Sequence, residues 1–483
     1  MTSTDQTPSQ ATDTYDVVVI GGGPVGENVA QYATQGTELT AVIVESERLG
    51  GECSYWACMP SKALLRPLEV AAASAHLGGL EPAALEVPGL LARRDEWVSH
   101  WDDAGQVEWA QSAGLAVVRG RGRLDGERRV LVTTEDGERV LQARQAVVLA
   151  TGSVPEVPAV LSTVQPWGSR DATGVAEVPG RLVIVGGGVV ACESATWMTA
   201  LGSEVTILVR GDRLLPAMEP FASQLVEDSL TDRGVTVLTH AQVEACERDR
   251  AADTGVGRVH GGTVRLTLRG GDGDAPRLLE ADEVLVATGR RPYLEGLGLE
   301  TIGLSSQDVT AGRTPSWLSA VGDAAGEAAL THWGKYRARV VGEAIAARAT
   351  GREVPATRDA VPVPQVVFTD PQVATSGLTR ARAEASGLDV VVAEAPYESA
   401  AGAALLRDDA HGRACLVVDQ ATRAVVGATF VGPGAGELIH AATVAITGAV
   451  PVPVLRHAVP AYPTASEIWL RLIESLPAEV LRP

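Results

Sequence analysis

The sequence is poor in cysteine, lysine and large aromatic residues. Of 483 residues, five are cysteine, three are phenylalanine and seven are tyrosine, and Lys62 and Lys335 are the only lysines among 40 basic residues. Five cysteines in a chain of this length do not form a disulfide scaffold. Hydrophobic residues make up 45% and charged residues 21%, a globular composition that excludes wholesale disorder and a collagen-like fold. At about 150 residues per domain, the length predicts about three domains.

The chain also lacks a long hydrophobic run and an excess of positive charge. No apolar stretch of about 18 residues occurs without a charged residue, which excludes a membrane-spanning helix. The first residues, MTSTDQTPSQATDTYD, contain neither a basic start nor an apolar segment. We therefore expect a disordered tail over residues 1–14 and a cytoplasmic protein. The net charge of −20 disfavours nucleic acid as a partner.

One pattern occurs twice along the chain. Residues 16–45 read DVVVIGGGPVGENVAQYATQGTELTAVIVE, and residues 181–210 read RLVIVGGGVVACESATWMTALGSEVTILVR. Each copy consists of an apolar run, a glycine-rich turn, a helical stretch and a second apolar run. This order and length predict a strand–turn–helix–strand unit in each copy.

The glycines of both turns follow the dinucleotide-binding fingerprint. They are Gly21, Gly23 and Gly26 in the first copy, and Gly186 and Gly188, followed by Ala191, in the second. The first glycine allows a tight turn, the second lets the backbone approach a pyrophosphate, and the third allows close packing of helix and strand. Because each turn lies between a predicted strand and a predicted helix, the pair indicates two dinucleotide sites rather than chance glycine-rich loops.

The residue at the end of the second strand in each unit indicates whether the bound adenosine ribose carries a 2′-phosphate. That position holds Glu45 in the first copy and Arg210 in the second. A carboxylate accepts hydrogen bonds from ribose hydroxyls and repels a 2′-phosphate, whereas an arginine binds the phosphate. The first site therefore suits FAD. The second suits NADPH rather than NADH, with Arg213 as a further contact, unless Arg210 is simply a solvated surface residue.

A pair of cysteines follows the first unit in the peptide GGECSYWACMPSKALL, residues 50–65. In a regular helix the Cα atoms of Cys53 and Cys58 would lie roughly 8–9 Å apart, whereas a disulfide requires less than about 7 Å. A bridge would therefore need a distorted turn. In a cytosolic chain such a pair is more often catalytic or metal-binding than structural. Its spacing fits the commonest zinc pattern poorly, and no cluster of further ligands follows, so we predict no metal site. Two independent buried thiols remain the alternative.

Together these motifs resemble a class I pyridine nucleotide-disulfide oxidoreductase, a family that includes dihydrolipoamide dehydrogenase, glutathione reductase and mercuric reductase. The motifs are GGGPVG, the Cys-x4-Cys peptide with PSK, GGGVVACE, ATGRRP, AVGD and VVFTDPQVATSGLT, and they cover residues 15–480. The resemblance implies an α/β fold with two Rossmann-like dinucleotide-binding domains, one for FAD and one for NAD(P), and a C-terminal α+β dimerisation domain.

The resemblance also implies an order of domains. After the tail, these are a first part of the FAD-binding domain at 15–155, an NAD(P)H-binding domain at 156–283, a second part of the FAD-binding or central domain at 284–360, and a dimerisation domain at 361–483 that forms a homodimer.

Further cofactor-binding residues are implied by the family motifs. Glu45 would bind the FAD ribose, and Asp323, in the AVGD segment, the ribityl–phosphate region. One further position is Gly51, just before the cysteine pair. The others are Thr151 and Gly152 in the first Ala-Thr-Gly segment and Gly289 in the second.

The redox roles are likewise implied by the resemblance. NAD(P)H would pass hydride to the flavin beside Lys62, which would pair with Glu193. Cys58 would be the flavin-proximal thiolate, and Cys53 the interchange thiol that attacks the substrate. A dithiol converts hydride chemistry into thiol–disulfide exchange. Cys192, Cys246 and Cys415 stand alone, and we expect them to be core residues.

The C-terminal segment VPAYPTASE, residues 459–467, departs from the family pattern. Disulfide-reducing members carry a histidine where this chain has Tyr462, with a glutamate that corresponds to Glu467. His457 lies five positions away, and we expect it to be a loop residue. Because a free tyrosine has a pKa near 10, it is a poor base at neutral pH. The usual route for a dithiol–disulfide couple is therefore in question.

The residues between the two cysteines are also unusual for the family. Family members carry small or aliphatic residues with an asparagine there, whereas this chain has Tyr55 and Trp56. These rings either narrow the substrate side of the site or pack against the flavin or the dimer interface.

Three functions follow from this sequence. The first is an FAD-dependent NADPH oxidoreductase that uses the Cys53–Cys58 pair to reduce a small-molecule acceptor: an atypical disulfide, a quinone or a metal ion. The second is a dihydrolipoamide dehydrogenase-like component, which Tyr462 and Arg210 argue against. The third is a diaphorase or oxidase in which electrons leave directly from the flavin. A binding subunit of a larger complex is disfavoured because both nucleotide motifs are complete.

Overall fold

The computed structural model describes residues 12–269, 276–358 and 361–482. Most of the tail expected over 1–14 lies outside these residues. Thr12, Asp13 and Thr14 do not belong to a tail, however, because they form the start of a strand and pair with residues 140–142. Within the glycine-rich stretch 251–280, two strands flank residues 270–275, which also lie outside the described part.

The described residues contain strands throughout the chain. They are β1 (Thr12–Ile20), β2 (Ala41–Glu45), β3 (Ala116–Arg119), β4 (Arg121–Leu124), β5 (Arg129–Thr134), β6 (Gly137–Leu149), β7 (Ser153–Pro155), β8 (Arg181–Val185), β9 (Glu204–Leu208), β10 (Thr236–Leu238), β11 (Gln242–Arg248), β12 (Val264–Arg269), β13 (Arg277–Ala281), β14 (Glu283–Val286), β15 (Arg290–Pro292), β16 (Leu318–Ala320), β17 (Gln365–Val367), β18 (Gln372–Gly377), β19 (Val390–Pro396), β20 (Arg413–Asp419) and β21 (Val425–Gly432).

The α-helices alternate with these strands. They are α1 (Pro24–Thr34), α2 (Gly51–Tyr55), α3 (Cys58–Ala75), α4 (Val87–Trp97), α5 (Ala104–Ser112), α6 (Ser169–Thr173), α7 (Val189–Ala200), α8 (Pro220–Asp232), α9 (Ser306–Thr310), α10 (Thr331–Thr350), α11 (Arg380–Ala385), α12 (Ala401–Ala404), α13 (Ile439–Thr447), α14 (Val452–Leu455), α15 (Ile468–Glu474) and α16 (Ala478–Leu481). No helix in the described part of the chain is long and apolar enough to cross a membrane.

The described residues divide into two compact units. The first unit is drawn from Met1–Met59, Val98–Val154 and Arg290–Asp359. Its sheet has the order β3-β2-β1-β6-β5-β4, with β16 also paired to β6. The pairs from β3 to β6 and the pair β6–β16 are parallel, whereas β4, β5 and β6 are antiparallel. The strand–turn–helix–strand prediction for residues 16–45 corresponds to β1, α1 and β2 of this sheet.

Buried aliphatic strands form the core of the first unit. Val17, Val18 and Val19 of β1 are fully buried, as expected for a parallel sheet covered on both faces. Helix α1 packs against α10 on one of these faces. The contact is close because Gly342 of α10 lies against α1, where an added Cβ would come within 2.7 Å of the Tyr32 Cβ.

The second unit is drawn from Pro60–Trp97, Pro155–Gly289 and Ala360–Pro483. It contains a parallel sheet of order β10-β9-β8-β14 and an antiparallel sheet of order β11-β12-β13. A third sheet, of order β17-β18-β21-β20-β19, is antiparallel. The second strand–turn–helix–strand prediction corresponds to β8, α7 and β9. The predicted fold class, with two Rossmann-like parts and a C-terminal α+β part, is confirmed.

The two compact units are divided at other points than the predicted domains. Residues 60–97 fall in the second unit rather than with the first part of the FAD-binding domain, because Leu64 and Leu90 are buried in one hydrophobic cluster with Trp167. The boundary expected between 283 and 284 falls inside β14, which pairs with β8. An apolar helix pattern shows that one face is buried, but it does not show against which core.

Candidate active site

The first glycine-rich turn has the geometry that a dinucleotide requires. Gly21 has φ of +107°, and a Cβ there would come within 2.3 Å of the Ala150 carbonyl oxygen. A Cβ at Gly26 would come within 2.0 Å of the Gly21 oxygen. Helix α1 begins directly after Gly23, and no side chain of the described residues caps it. Its first N–H groups are therefore oriented to bind phosphate.

Glu45 lies at the end of β2, beside this turn. Its Oε2 accepts a hydrogen bond of 2.7 Å from the Gly22 N–H, and its Oε1 accepts one from the Glu47 N–H. Burial raises the pKa of the Glu45 carboxyl above its ordinary value. Gly51 also lies close to the turn, since a Cβ on it would come within 2.8 Å of the Gly23 Cα. The glycines and the oriented carboxylate fit the FAD site expected here.

The carboxyl ends of β6 and β16 bring further predicted residues together. Asp323 lies in the turn after β16, and its Oδ2 accepts a hydrogen bond of 2.5 Å from the Ser153 hydroxyl. Arg290 donates to both the Ser153 Oγ and the Ser153 carbonyl, at 2.8 and 2.6 Å. Thr151 donates to a backbone carbonyl at 2.6 Å, and Gly152 has φ of +72°. Neither Ser153, which donates to Asp323, nor Arg290, which holds Ser153, was predicted from the sequence.

Cys53 and Cys58 lie on either side of a helix break. Cys53 is in α2, which ends at Tyr55, and Cys58 begins α3. Trp56 leaves the helical conformation with φ of −133°. This is the local distortion that a five-residue spacing requires for two sulfur atoms to meet. The two sulfurs are not joined by a bond in this structure, and the Cys53 thiol hydrogen-bonds with Cys58.

Thr331 completes the environment of the two thiols. Its Oγ1 lies 3.3 Å from the Cys58 Sγ and also hydrogen-bonds to Cys53. The hydrogen bond with Cys58, together with burial, raises the pKa of the Cys53 thiol. The hydrogen bond from Thr331 and the positive charge of Lys335 act in the opposite direction. A pair of thiols in mutual contact can form a disulfide and can release one thiolate for exchange.

Lys62 and Glu193 form the ion pair that the resemblance implied. The Lys62 Nζ lies 2.8 Å from the Glu193 Oε2. Glu193 is buried in α7, and its other carboxylate oxygen accepts a hydrogen bond of 3.0 Å from the Phe368 N–H. The Lys62 ammonium also lies over the Phe368 ring, 4.7 Å from its centroid. The charge of Lys62 is therefore held between the Glu193 carboxylate and the Phe368 ring.

The second glycine-rich turn repeats the geometry of the first. Gly186 has φ of +127°, and a Cβ there would come within 2.3 Å of the Ala287 oxygen. Helix α7 begins after Gly188, and Gly289 has φ of +127° beyond β14. Arg210 is exposed two residues beyond β9. Arg213 is half-buried, and its guanidinium lies 3.4 Å from the Asp212 carboxylate.

The C-terminal residues that depart from the family pattern belong to the second unit. Tyr462 is 77% exposed. Glu467 is buried just before α15, and within the described chain its Oε2 has no hydrogen-bond partner. His457 is exposed, as expected for a loop residue. In the described part of this segment, the side chain at the position of the usual histidine is not a base suited to neutral pH.

The aromatic residues between the cysteines pack inside the first unit. Tyr55 and Trp56 are buried in a small cluster with Val98 and Trp101. The rings of Trp56 and Trp101 lie 5.8 Å apart, and the Arg48 guanidinium lies 5.6 Å from the Trp56 ring. These contacts anchor the segment that joins α2 to α3.

The remaining cysteines are core residues, as expected. Cys192, Cys246 and Cys415 are all buried. Burial raises the pKa of Cys246 to about 11 and that of Cys415 to about 12, so neither is a ready nucleophile. Among the described residues, no group of three or more histidine, cysteine or acidic side chains is placed to hold a metal ion.

Sequence reasoning did not assign a role to Glu27, Thr331 or Lys335. Thr331 and Lys335 lie in the segment LTHWGK after the Gly-Asp turn, where no known fingerprint is present. The rarity of lysine in this chain was a usable signal for Lys335. For Glu27, the sequence offered no comparable signal.

Family comparisons agree with this geometry. Residues 15–351 match the pyridine nucleotide-disulphide oxidoreductase family, and residues 363–473 match its dimerisation domain. Dihydrolipoyl dehydrogenase 3 of Pseudomonas aeruginosa is 33% identical over 449 residues, which cover 90% of this chain and 92% of that protein. A dihydrolipoyl dehydrogenase of Bacillus subtilis is 31% identical, with 93% and 96% coverage.

Solved structures show the same fold. LpdA of Mycobacterium tuberculosis is 26% identical with a TM-score of 0.79, and the alignment covers 96% of this chain and all of that one. The HOCl-induced flavoprotein disulfide reductase RclA of Escherichia coli, in its Cu(II) complex, is 22% identical with a TM-score of 0.80. That alignment covers 96% of this chain and 99% of RclA. The chain belongs to the class I pyridine nucleotide-disulphide oxidoreductases and is an FAD-dependent flavoprotein enzyme of that family.

Proposed function

We propose that this enzyme uses NADPH to reduce a small-molecule disulfide through the Cys53–Cys58 pair. The observation that carries the proposal is the contact between the two thiols at the break between α2 and α3, with the Thr331 hydroxyl 3.3 Å from the Cys58 sulfur. Two sulfurs in contact can alternate between dithiol and disulfide without moving the helices that carry them. Two isolated core thiols would have no need of this geometry.

The chemistry of the dithiol balances with a disulfide acceptor. FAD, when bound, supplies two-electron transfer between a nicotinamide and the cysteine pair. The Cys53 thiolate attacks one sulfur of the acceptor, the acceptor S–S bond breaks, and one acceptor thiolate leaves. Cys58 then attacks the Cys53 sulfur, which releases the second thiolate and forms the Cys53–Cys58 disulfide. The sum is NADPH, one proton and a disulfide giving NADP⁺ and two thiols.

Arg210 supports NADPH as the electron donor. It is exposed beyond the end of β9, the place where the adenosine ribose of a nucleotide on the second glycine-rich turn is read. Arg213 lies three residues on and is half-buried. Two guanidinium groups suit a 2′-phosphate, whereas an unphosphorylated ribose is better served by a carboxylate.

A dihydrolipoyl dehydrogenase activity is the second candidate, and the relatives of that name favour it. Such an enzyme would oxidise a dithiol and reduce NAD⁺. Two features of this chain favour the first proposal instead. Tyr462 occupies the position of the usual histidine, and Arg210 occupies the ribose-reading position. A parallel assay with dihydrolipoamide and NAD⁺ separates the candidates, since only the second predicts rapid turnover in that direction.

We also infer a homodimer that acts in the cytosol. The match to the dimerisation domain at residues 363–473 supports the dimer. In a reducing compartment the two thiols stay available for exchange unless the acceptor oxidises them. Sedimentation of the purified enzyme is expected to give twice the mass of the chain.

An anaerobic titration with NADPH, followed by visible absorbance, tests the proposal. Wild-type enzyme that has first been oxidised to the Cys53–Cys58 disulfide is expected to take up about two NADPH per subunit, one for FAD and one for the disulfide. A long-wavelength band is expected after the first equivalent, as a sign of a thiolate beside the flavin. The Cys53→Ser and Cys58→Ser variants serve as controls and are expected to take up about one equivalent. Uptake of one equivalent by the wild type would mean that the dithiol is bypassed.

Turnover assays with the Cys53→Ser variant identify the class of acceptor. If the dithiol lies on the path, Cys53→Ser loses the reduction of disulfides such as 5,5′-dithiobis(2-nitrobenzoate). Reduction of a quinone at the wild-type rate by this variant would support direct transfer from the flavin. NADH in a parallel titration tests the donor.

A further inference from the structure

Lys335 has no role in the mechanism described so far. It is one of two lysines in the chain, and the other, Lys62, is paired with Glu193. Lys335 is exposed on α10 in the first unit, the same unit that contains both redox cysteines.

Lys335 lies one helical turn after a residue that contacts the thiols. Thr331, the first residue of this helix, lies 3.3 Å from the Cys58 sulfur. Residues four apart lie on the same face of a helix, so Lys335 lies one turn along the face that Thr331 presents to the cysteines. The helix is held close to α1, because a Cβ on Gly334 would come within 2.5 Å of the Val25 side chain.

The charge of Lys335 acts on Cys53. The hydrogen bond with Cys58 and burial raise the pKa of the Cys53 thiol, and the positive charge of Lys335 opposes this rise. Thr331 opposes it as well, through its hydrogen bond. A hydroxyl and an ammonium on one face of α10 therefore both favour the thiolate over the thiol.

The same charge acts on Glu27 of α1. Glu27 is buried, and in the described part of the chain its Oε1 has no hydrogen-bond partner. Burial raises the pKa of this carboxyl from 4.5 to about 7, and the charge of Lys335 opposes that rise. Lys335 is thus shared between a thiol that must ionise and a carboxyl that ionises near neutral pH.

We propose that Lys335 is a positioning residue that favours the Cys53 thiolate during thiol–disulfide interchange, with Glu27 as the neighbour that offsets its charge. The inference rests on the proposed function, since interchange requires a nucleophilic Cys53. It accounts for a feature that the family pattern leaves open: Tyr462 stands where disulfide-reducing members carry a histidine, and Tyr462 cannot become a cation. Lys335 supplies the missing positive charge from within the unit that contains the thiol.

The charged and titratable groups around this cluster come from three elements. Lys335 is contributed by α10, and Tyr55 of α2 and Glu45 of β2 both interact with Glu27. The negative charge of Glu45 raises the pKa of Glu27. Below neutral pH Glu27 is protonated, and Lys335 acts on Cys53 without an opposing carboxylate. Above neutral pH, the ionised Glu27 offsets part of the positive charge of Lys335.

The rate at which iodoacetamide alkylates Cys53 reports the fraction of Cys53 that is ionised to the thiolate. The holoenzyme is reduced anaerobically with NADPH, the rate is followed from pH 5 to 9, and the modified cysteine is identified by mass spectrometry. We expect Lys335→Met to lower the rate roughly ten-fold on the rising limb, because loss of the positive charge raises the pKa of the Cys53 thiol further. Lys335→Arg keeps the charge and is expected to stay within about two-fold of the wild type.

Two further variants make the test specific. Arg348→Met removes a positive charge from the same helix, about 20 Å further along, and is expected to leave the profile unchanged. Glu27→Gln removes the opposing charge and is expected to speed alkylation several-fold above pH 7 only. An unchanged profile in Lys335→Met, or the same shift in Arg348→Met, overturns the proposal.

A failure of the proposed function gives a different result. If NADPH does not reduce the cysteines, tris(2-carboxyethyl)phosphine still produces the same two thiols in the holoenzyme. The Lys335→Met comparison can then be made on that form. A wild-type enzyme that takes up one NADPH but shows the Lys335-dependent profile would reject the electron path and keep the role of Lys335.

Discussion

The Lys62 ammonium donates a hydrogen bond of 2.8 Å to a Glu193 carboxylate that is itself buried. The second oxygen of this carboxylate is occupied by the Phe368 N–H. Glu193 therefore has no freedom to follow Lys62 if the lysine moves. In a pair of this kind, the buried carboxylate fixes the position of the partly exposed ammonium.

Replacing Glu193 by glutamine tests this arrangement. Glu193→Gln keeps the acceptor for the Phe368 N–H but removes the negative charge, so Lys62 is no longer held by an ion pair. We expect anaerobic flavin reduction by NADPH in stopped-flow measurements to slow by roughly ten-fold. Glu280→Gln removes an exposed carboxylate of the same unit and is expected to have no effect. Equal rates in wild type and Glu193→Gln would show that the pair is structural only.

The Thr331 hydroxyl is expected to stabilise the Cys58 sulfur in its ionised form. A hydrogen bond to a charged group contributes about 1.5–3 kcal/mol, so Thr331→Val should weaken the long-wavelength band of the NADPH-reduced enzyme. The pH at which the band appears should rise by about one unit or more. Thr331→Ser retains the hydroxyl and is expected to keep the band. A valine variant with the wild-type spectrum at every pH would contradict this role.

The sequence was sufficient to predict the two nucleotide turns and the helix break. Gly21 and Gly186 adopt a positive φ beside a carbonyl oxygen, which leaves no room for a side chain. Such local steric requirements are visible in a sequence pattern because only glycine meets them. The five-residue spacing of Cys53 and Cys58 likewise excludes a regular helix for two sulfurs in contact.

The cluster around Lys335 was not predictable in the same way. Glu27 and Lys335 lie far apart in sequence, and the packing of α1 on α10 brings them together. Nothing in the residues around Glu27 shows that its carboxyl is buried, because the same pattern also suits a helix with one exposed polar position. The place of residues 60–97 in the second unit has a similar cause, since the sequence does not show against which core the leucines of α3 pack.

The choice of nicotinamide cofactor is expected to depend on Arg210. Arg210→Gln removes the charge that we propose binds the 2′-phosphate, and a charge-assisted contact of this kind contributes enough for a KM change of about ten-fold. We expect the KM for NADPH to rise and that for NADH to stay unchanged in steady-state assays. Arg277→Gln, an exposed arginine of the same unit, serves as the control. A higher KM for NADH alone would reverse the assignment.

Removal of one partner from the buried ion pair of Arg248 and Glu283 is expected to destabilise the second unit. Both side chains are fully buried, and Glu283 also accepts a hydrogen bond of 2.9 Å from the His260 N–H. Glu283→Ala leaves the arginine charge buried without its partner, which destabilises by about 3–5 kcal/mol. The double variant Arg248→Met/Glu283→Leu removes both charges and should recover most of the loss in urea unfolding. A mild effect of Glu283→Ala alone would show that water reaches Arg248.

Glu27 is expected to make stability depend on pH. Burial raises the pKa of its carboxyl from 4.5 to about 7, so the folded protein holds this proton more tightly than the unfolded chain does. Its contribution to stability is therefore fully present below pH 4.5 and is lost as the pH rises through 7. The full shift corresponds to about 3 kcal/mol.

Glu27→Gln should remove this dependence. We expect the thermal midpoint of the variant to exceed that of the wild type at pH 8 and to match it at pH 5, because glutamine stays neutral where the buried carboxylate does not. Glu300→Gln, an exposed position in the same unit, should change neither midpoint. If Glu27→Gln lowers the midpoint equally at both pH values, the carboxylate is stabilised by contacts that a neutral amide cannot make. Lys335 would then hold Glu27 ionised throughout the working range.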